Sequence, residues 1–254
     1  MSYGINIEPL SILQPMLELY QLPRSRARFE KYLDMLQGPN KDDMVMPIGY
    51  FNPMANKAGV EQLQQLIDHK AEELISKAWD DLSISHIHHE HPSTTIGVAI
   101  NLVDDVEGAW SERHPTDYKS KFEFGAHLKR QFCTPIFFTS ESLDEQLIIK
   151  RIQGYLCRTV YWLEHSAPLT LGKMVDQEIF VASFVRAYQE GLSDIEAEFV
   201  DRFFKDHAGT SSSDILFNFF YGDQASSQLN YKTFGLPEKA GFRYAALRSL
   251  QEIN

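Results

Sequence analysis

Two apolar, β-branched runs separated by a helical stretch constrain this chain most. Thr95-Ile96-Gly97-Val98-Ala99-Ile100-Asn101-Leu102-Val103 reads as a buried strand, and Phe132-Cys133-Thr134-Pro135-Ile136-Phe137-Phe138-Thr139 as a second. A helix over about Lys119 to Arg130 joins them. A strand, a crossover helix and a strand make a parallel pair, because antiparallel neighbours need only a short turn. Pro135 cannot donate to a ladder, so the second strand belongs at an edge or a bulge. Val45 to Phe51 offers a third extended segment.

Helical pattern fills most of the remainder. Ser25 caps a helix running to about Gln37, with Gly38 as its stop. Lys57 to Asp80 reads as one long amphipathic helix. Ser142-Leu143-Asp144-Glu145 and Ser193-Asp194-Ile195-Glu196 both spell capping boxes, and Thr170 opens the helix between them. The tail from Ser211 onward breaks into shorter helical pieces. Short connections between consecutive helices favour antiparallel neighbours. The expected fold is α+β and predominantly helical: a single domain of antiparallel helices around a small β element of two to three strands.

Composition excludes several classes. The formal charge of −11 argues against nucleic acid, which demands a dense Lys/Arg footprint. The one basic stretch, Arg24-Ser25-Arg26-Ala27-Arg28, reads as a solvated helix face. Nowhere does the chain offer the ~20 apolar residues of a membrane helix. Its N-terminus lacks the basic and apolar regions of a secretory signal, and Cys133 and Cys157 have no partner at zinc or redox spacing. The expectation is a cytoplasmic protein with two buried, reduced thiols. The 17 Phe and 11 Tyr imply a large aromatic core, or a groove for a small molecule or a protein partner. Glycine-rich nucleotide loops, a Gly-x-Ser-x-Gly elbow and His-Glu-x-x-His are all missing.

Four of the nine histidines fall within the run His86-Ile87-His88-His89-Glu90-His91. Imidazole titrates near neutrality and binds transition metals. In an extended run His86, His88 and Glu90 share a face; in a helix His86 pairs with Glu90, or His88 with His91. His86, His88 and His91 are therefore candidate ligands for zinc, iron or manganese, with Glu90 a further ligand or general base. The spelling His-x-His-x-acid-His resembles the motif of the metallo-β-lactamase superfamily. That resemblance implies metal ligands at His86, His88 and His91 and a second-metal carboxylate at Glu90. It covers six residues. The family's fold opens with strands, whereas about 80 residues of mostly helical pattern come first here, and Pro92-Ser93-Thr94 stands where a glycine pair is usual. The chain is not assigned to that family. Its further ligands would have to come from His127, His165, Asp176 or His207.

A second polar group follows the better strand. Ligands gather at the carboxyl ends of strands in open α/β arrangements. Asp104, Asp105, Glu112, Arg113, His114 and Asp117 crowd there, in a segment that also has the composition of a turn. Asp105 and His114 are candidate catalytic groups, and Asp104, Glu112, Arg113 and Asp117 candidate contacts to a small-molecule substrate. The leading expectation is a metal-binding protein, as a metal-dependent hydrolase. The alternative is a non-catalytic helical binding protein.

Overall fold

A computed structural model describes residues 4–82, 94–106, 111–185 and 191–252. Ile5–Pro9 forms β1, a strand the sequence pattern did not single out. It lies parallel to β2 (Thr94–Val98), with Ile7 opposite Ile96. Beyond Ala99 and Ile100 the same segment continues as β3 (Asn101–Val103). The second apolar run likewise divides into β4 (Phe132–Cys133) and β5 (Ile136–Phe138). β4 is parallel to β2, and β5 to β3. The ladder carries across the gaps, because the Ala99 N–H donates to the Cys133 carbonyl and the Asn101 N–H to the Pro135 carbonyl. Pro135 thus sits on an edge strand and only has to accept. Ile96, Val98, Ile100, Leu102 and Val103 are all buried, as strands covered on both faces must be.

Among the described residues the helices are α1 (Leu13–Gln21), α2 (Arg26–Gln37), α3 (Lys57–Asp68), α4 (Leu74–Asp80), α5 (Arg113–Phe122), α6 (Gly125–Leu128), α7 (Glu145–Glu164), α8 (Leu171–Phe184), α9 (Asp194–His207), α10 (Ser213–Gln228) and α11 (Ala240–Glu252). The protein is a predominantly helical α+β protein with a small parallel β element. No helix of the described residues is long and apolar enough to cross a membrane.

Several elements differ from expectation. Val45 to Phe51 is a loop, not a strand. It is nevertheless an interior loop: Ile48 and Phe51 are buried, and its carbonyls accept from side chains instead of a ladder. Asn101 Nδ2 donates to the Pro47 carbonyl and the Tyr32 hydroxyl to that of Ile48. The expected long helix breaks into α3 and α4, with Lys70 in the left-handed region at φ 54°. The break frees Glu72, whose Oε1 accepts from the Ile12 and Leu13 N–H groups and caps the start of α1. The crossover helix begins earlier, at Arg113, where Pro115 fits the first turn. It then breaks between α5 and α6. The cap of α7 is Asp144, whose Oδ1 accepts from the Leu147 N–H, and not Ser142.

The chain forms two compact units, residues 1–120 with 124–155, and residues 121–123 with 156–254. The first holds the strands, α1 to α4, α6 and most of α5. The second is helical. Within it Thr170 caps α8, and Ser193 with Glu196 makes the expected capping box on α9. Its centre is aromatic: Phe122, Phe219, Phe220, Phe242 and Tyr244 are all buried. Arg158 and Glu178 form a buried bidentate pair, 2.7 Å from Nε to Oε1 and 2.5 Å from Nη2 to Oε2. Cys133 and Cys157 are both buried and are not joined in a disulfide.

Candidate functional site at the carboxyl edge of the strands

Val103 pairs with Phe138, so β3 and β5 end in register and their following loops leave the sheet side by side. Thr139 fixes this exit by donating its N–H and its hydroxyl to the Val103 carbonyl. One loop begins Asp104-Asp105 and the other Thr139-Ser140-Glu141. Three acids and a serine therefore emerge at one edge of the first unit.

Asp105 and Glu141 are fully engaged. Asp105 Oδ1 accepts from the Ser140 N–H at 3.0 Å. Its Oδ2 accepts from the Ser140 hydroxyl at 2.6 Å and from Arg113 Nη1 at 3.0 Å. Arg113 Nη2 reaches on to Glu141 Oε1 at 2.6 Å, and its guanidinium covers the Phe138 ring. Arg151, on α7, holds Glu141 with both Nη groups, at 2.5 and 2.9 Å. The Phe138 N–H adds a further donor to Glu141 Oε2. Burial alone would raise the Glu141 carboxyl. The Arg151 hydrogen bonds, the charges of Arg151 and Arg113 and the Phe138 N–H outweigh it and hold the group below its ordinary value. Two cations and two carboxylates close on each other, leaving a neutral, saturated clamp.

Asp104 is different. It is 4% exposed. Its Oδ2 accepts from Asn52 Nδ2 at 2.8 Å. Its Oδ1 is buried and has no hydrogen-bond partner among the described residues. The orientation of Asn52 is fixed from its other side, because its Oδ1 accepts from the Met54 N–H and its carbonyl from the Tyr20 hydroxyl. The amide N–H₂ must then face Asp104. The Ser111 N–H donates to the Asp104 carbonyl.

The remaining sequence candidates scatter around this edge. Asp117 is half-buried on α5, and its charge favours the protonated Arg151. His114 is half-buried in the first turn of α5, and Glu112 is exposed just before it. His86, His88, Glu90 and His91 lie outside the described residues. β2 and β3 together separate positions 94 and 104 by about 30 Å, so the carboxylates after Val103 and the chain entering at Thr94 belong to opposite edges of the sheet. Of the other proposed ligands, His165 stacks on Tyr161 and His207 on Phe203, each bonding the carbonyl four residues back through Nδ1. Burial and then the Arg130 charge keep the His127 imidazole below its usual value. Asp176 pairs with Lys173 on the surface. No group of three or more metal-ligating side chains occurs among the described residues.

Sequence reasoning missed Ser140, Glu141, Arg151 and Asn52. The rule that drew attention to Asp104, position just after a strand, applies equally to Ser140 and Glu141. Asn52 carries no such signal, since it arrives from an irregular loop.

No protein-family model, curated protein or solved structure matches the chain.

Proposed function

We propose that this protein binds a small polar molecule at the carboxyl edge of β3 and β5, and that Asp104 receives a donor group of that molecule. The buried, unpartnered Oδ1 of Asp104 carries this reading. A buried acceptor left without a donor costs roughly 1–3 kcal/mol, and more when it is charged. A ligand N–H or O–H recovers that cost, which gives the bound state its advantage. The clamp of Asp105, Arg113, Glu141 and Arg151 holds the strand ends rigid, and Asn52 orients the receiving carboxylate, as a pre-organised site requires. Amines, guanidines, sugars and nucleosides all offer suitable donors. The test is a thermal-shift screen of these classes against wild type and Asp104→Asn. Compounds that stabilise wild type and not the variant are expected. Equal shifts in both proteins would contradict the assignment.

A second reading rests on the histidine run, four imidazoles in six residues. Here the protein is a metal-dependent hydrolase with His86, His88 and His91 as ligands and Glu90 as further ligand or base. A bound zinc, iron or manganese ion would supply a Lewis acid and an activated water. Untagged protein is expected to carry near-stoichiometric metal by elemental mass spectrometry, and His88→Ala to lose it. Wild-type stoichiometry in that variant would sink this reading.

A further inference from the structure

Arg28 stands at the third position of α2, and it is 2% exposed. Nη1 donates to the Tyr20 and Leu22 carbonyls at 3.4 and 3.3 Å, at the end of α1. Its guanidinium carbon lies 4.7 Å from the Tyr20 ring centre. Nε and Nη2 are buried and have no hydrogen-bond partner among the described residues. These two nitrogens form one edge of the guanidinium, with parallel N–H bonds spaced to match two oxygens of a carboxylate or phosphate.

The same protein shows how that edge is normally filled. Arg158, equally buried, presents Nε and Nη2 to the two oxygens of Glu178. Arg151 and Arg113 likewise end on carboxylates. Among the described residues, Arg28 has the cation and the edge without the anion. Burying a guanidinium in that state is expensive, since both its charge and its donors are left short of partners. Capping α1 does not account for the choice of residue, because the two carbonyls use Nη1 alone, and an ammonium would serve them. Burial, offset in part by Tyr20, depresses the Arg28 guanidinium, and the neighbouring Arg24 charge adds to the effect. The N-terminal end of a twelve-residue helix adds positive potential at the same place.

We infer that the Nε/Nη2 edge of Arg28 is a binding site for a single oxyanion, a carboxylate or phosphate group of a small ligand. This is independent of the role given to Asp104. The turn between α1 and α2, residues 22–25, lies against the guanidinium through the Leu22 carbonyl and is itself exposed. It is the part that must shift to admit the anion.

The test is a titration of the whole protein, followed through its arginine Nε–H signals in NMR. The Arg28 signal is assigned by its contact to the Tyr20 ring. Inorganic phosphate and acetate are added in separate arms at constant ionic strength. A saturable shift of that one signal is expected, in the phosphate arm for a phosphoryl ligand or the acetate arm for a carboxylate. Arg28→Lys keeps the charge and loses the edge, so binding, followed in both proteins through the Tyr20 ring signals, should weaken about tenfold or more. No saturable shift in either arm, or unchanged binding in Arg28→Lys, would overturn the inference. Should Arg28→Lys fail to fold, the wild-type titration decides alone.

Discussion

Each oxygen of Glu141 accepts two hydrogen bonds, from Arg113 and Arg151 on one side and from Arg151 and the Phe138 N–H on the other. A carboxylate so placed serves the fold, and its titration should say so. Its folded-state value lies below the unfolded value of about 4.3. The stabilisation is therefore complete above that unfolded value and lost as the pH falls through the folded one. Glu141→Gln should cost roughly 2 kcal/mol at pH 7, since it leaves the half-buried Arg151 beside a weaker acceptor. The gap between wild type and variant in urea midpoint should narrow at pH 3. Equal midpoints at pH 7 would show that the clamp contributes nothing. Asp104 and Asp105 were legible as site candidates from their position after an apolar run. Their division of labour was not, because it depends on Asn52 and Ser140, which the chain brings from 52 positions before Asp104 and 35 after Asp105.

Elements whose ends are set locally were the legible ones. Ser25, Thr170 and the Ser193–Glu196 box each cap the helix they precede, through hydrogen bonds that span three residues. The parallel strand pair followed from composition and from the length of the crossover. Elements set by distant partners were not legible. β1 exists because β2 offers it a ladder, and the break after α3 exists because Glu72 is needed at the start of α1. α10 makes the same point, since its kink depends on a loop that follows it. Gly222 has φ 81°, and a Cβ there would stand 2.6 Å from the Pro237 carbonyl oxygen. One residue on, Asp223 accepts from the N–H groups of Phe234, Gly235 and Leu236 and ties that loop to the kink. Gly222→Ala should destabilise the protein by at least about 1 kcal/mol in chemical denaturation, through positive φ and collision together. Unchanged stability would mean that the kink is not required.

At the scale of the whole molecule, buried aromatics serve the cores of both units, while the polar edge belongs to the first. Within the first unit the clamp is neutral in sum, whereas Asp104 and Arg28 are buried with polar atoms that have no partner among the described residues. A chain selected only for stability would fill or remove them, and proteins commonly give up stability at sites kept for binding. The measurement that tests this most directly is the unfolding free energy of Asp104→Asn without added ligand, by urea denaturation. Asn preserves the acceptor for Asn52 and removes the carboxylate charge. If Asp104 is kept for a ligand, the variant should match or exceed wild-type stability, by up to about 1 kcal/mol. A loss of about 2 kcal/mol or more would place Asp104 among the residues that hold the fold and contradict the proposed site.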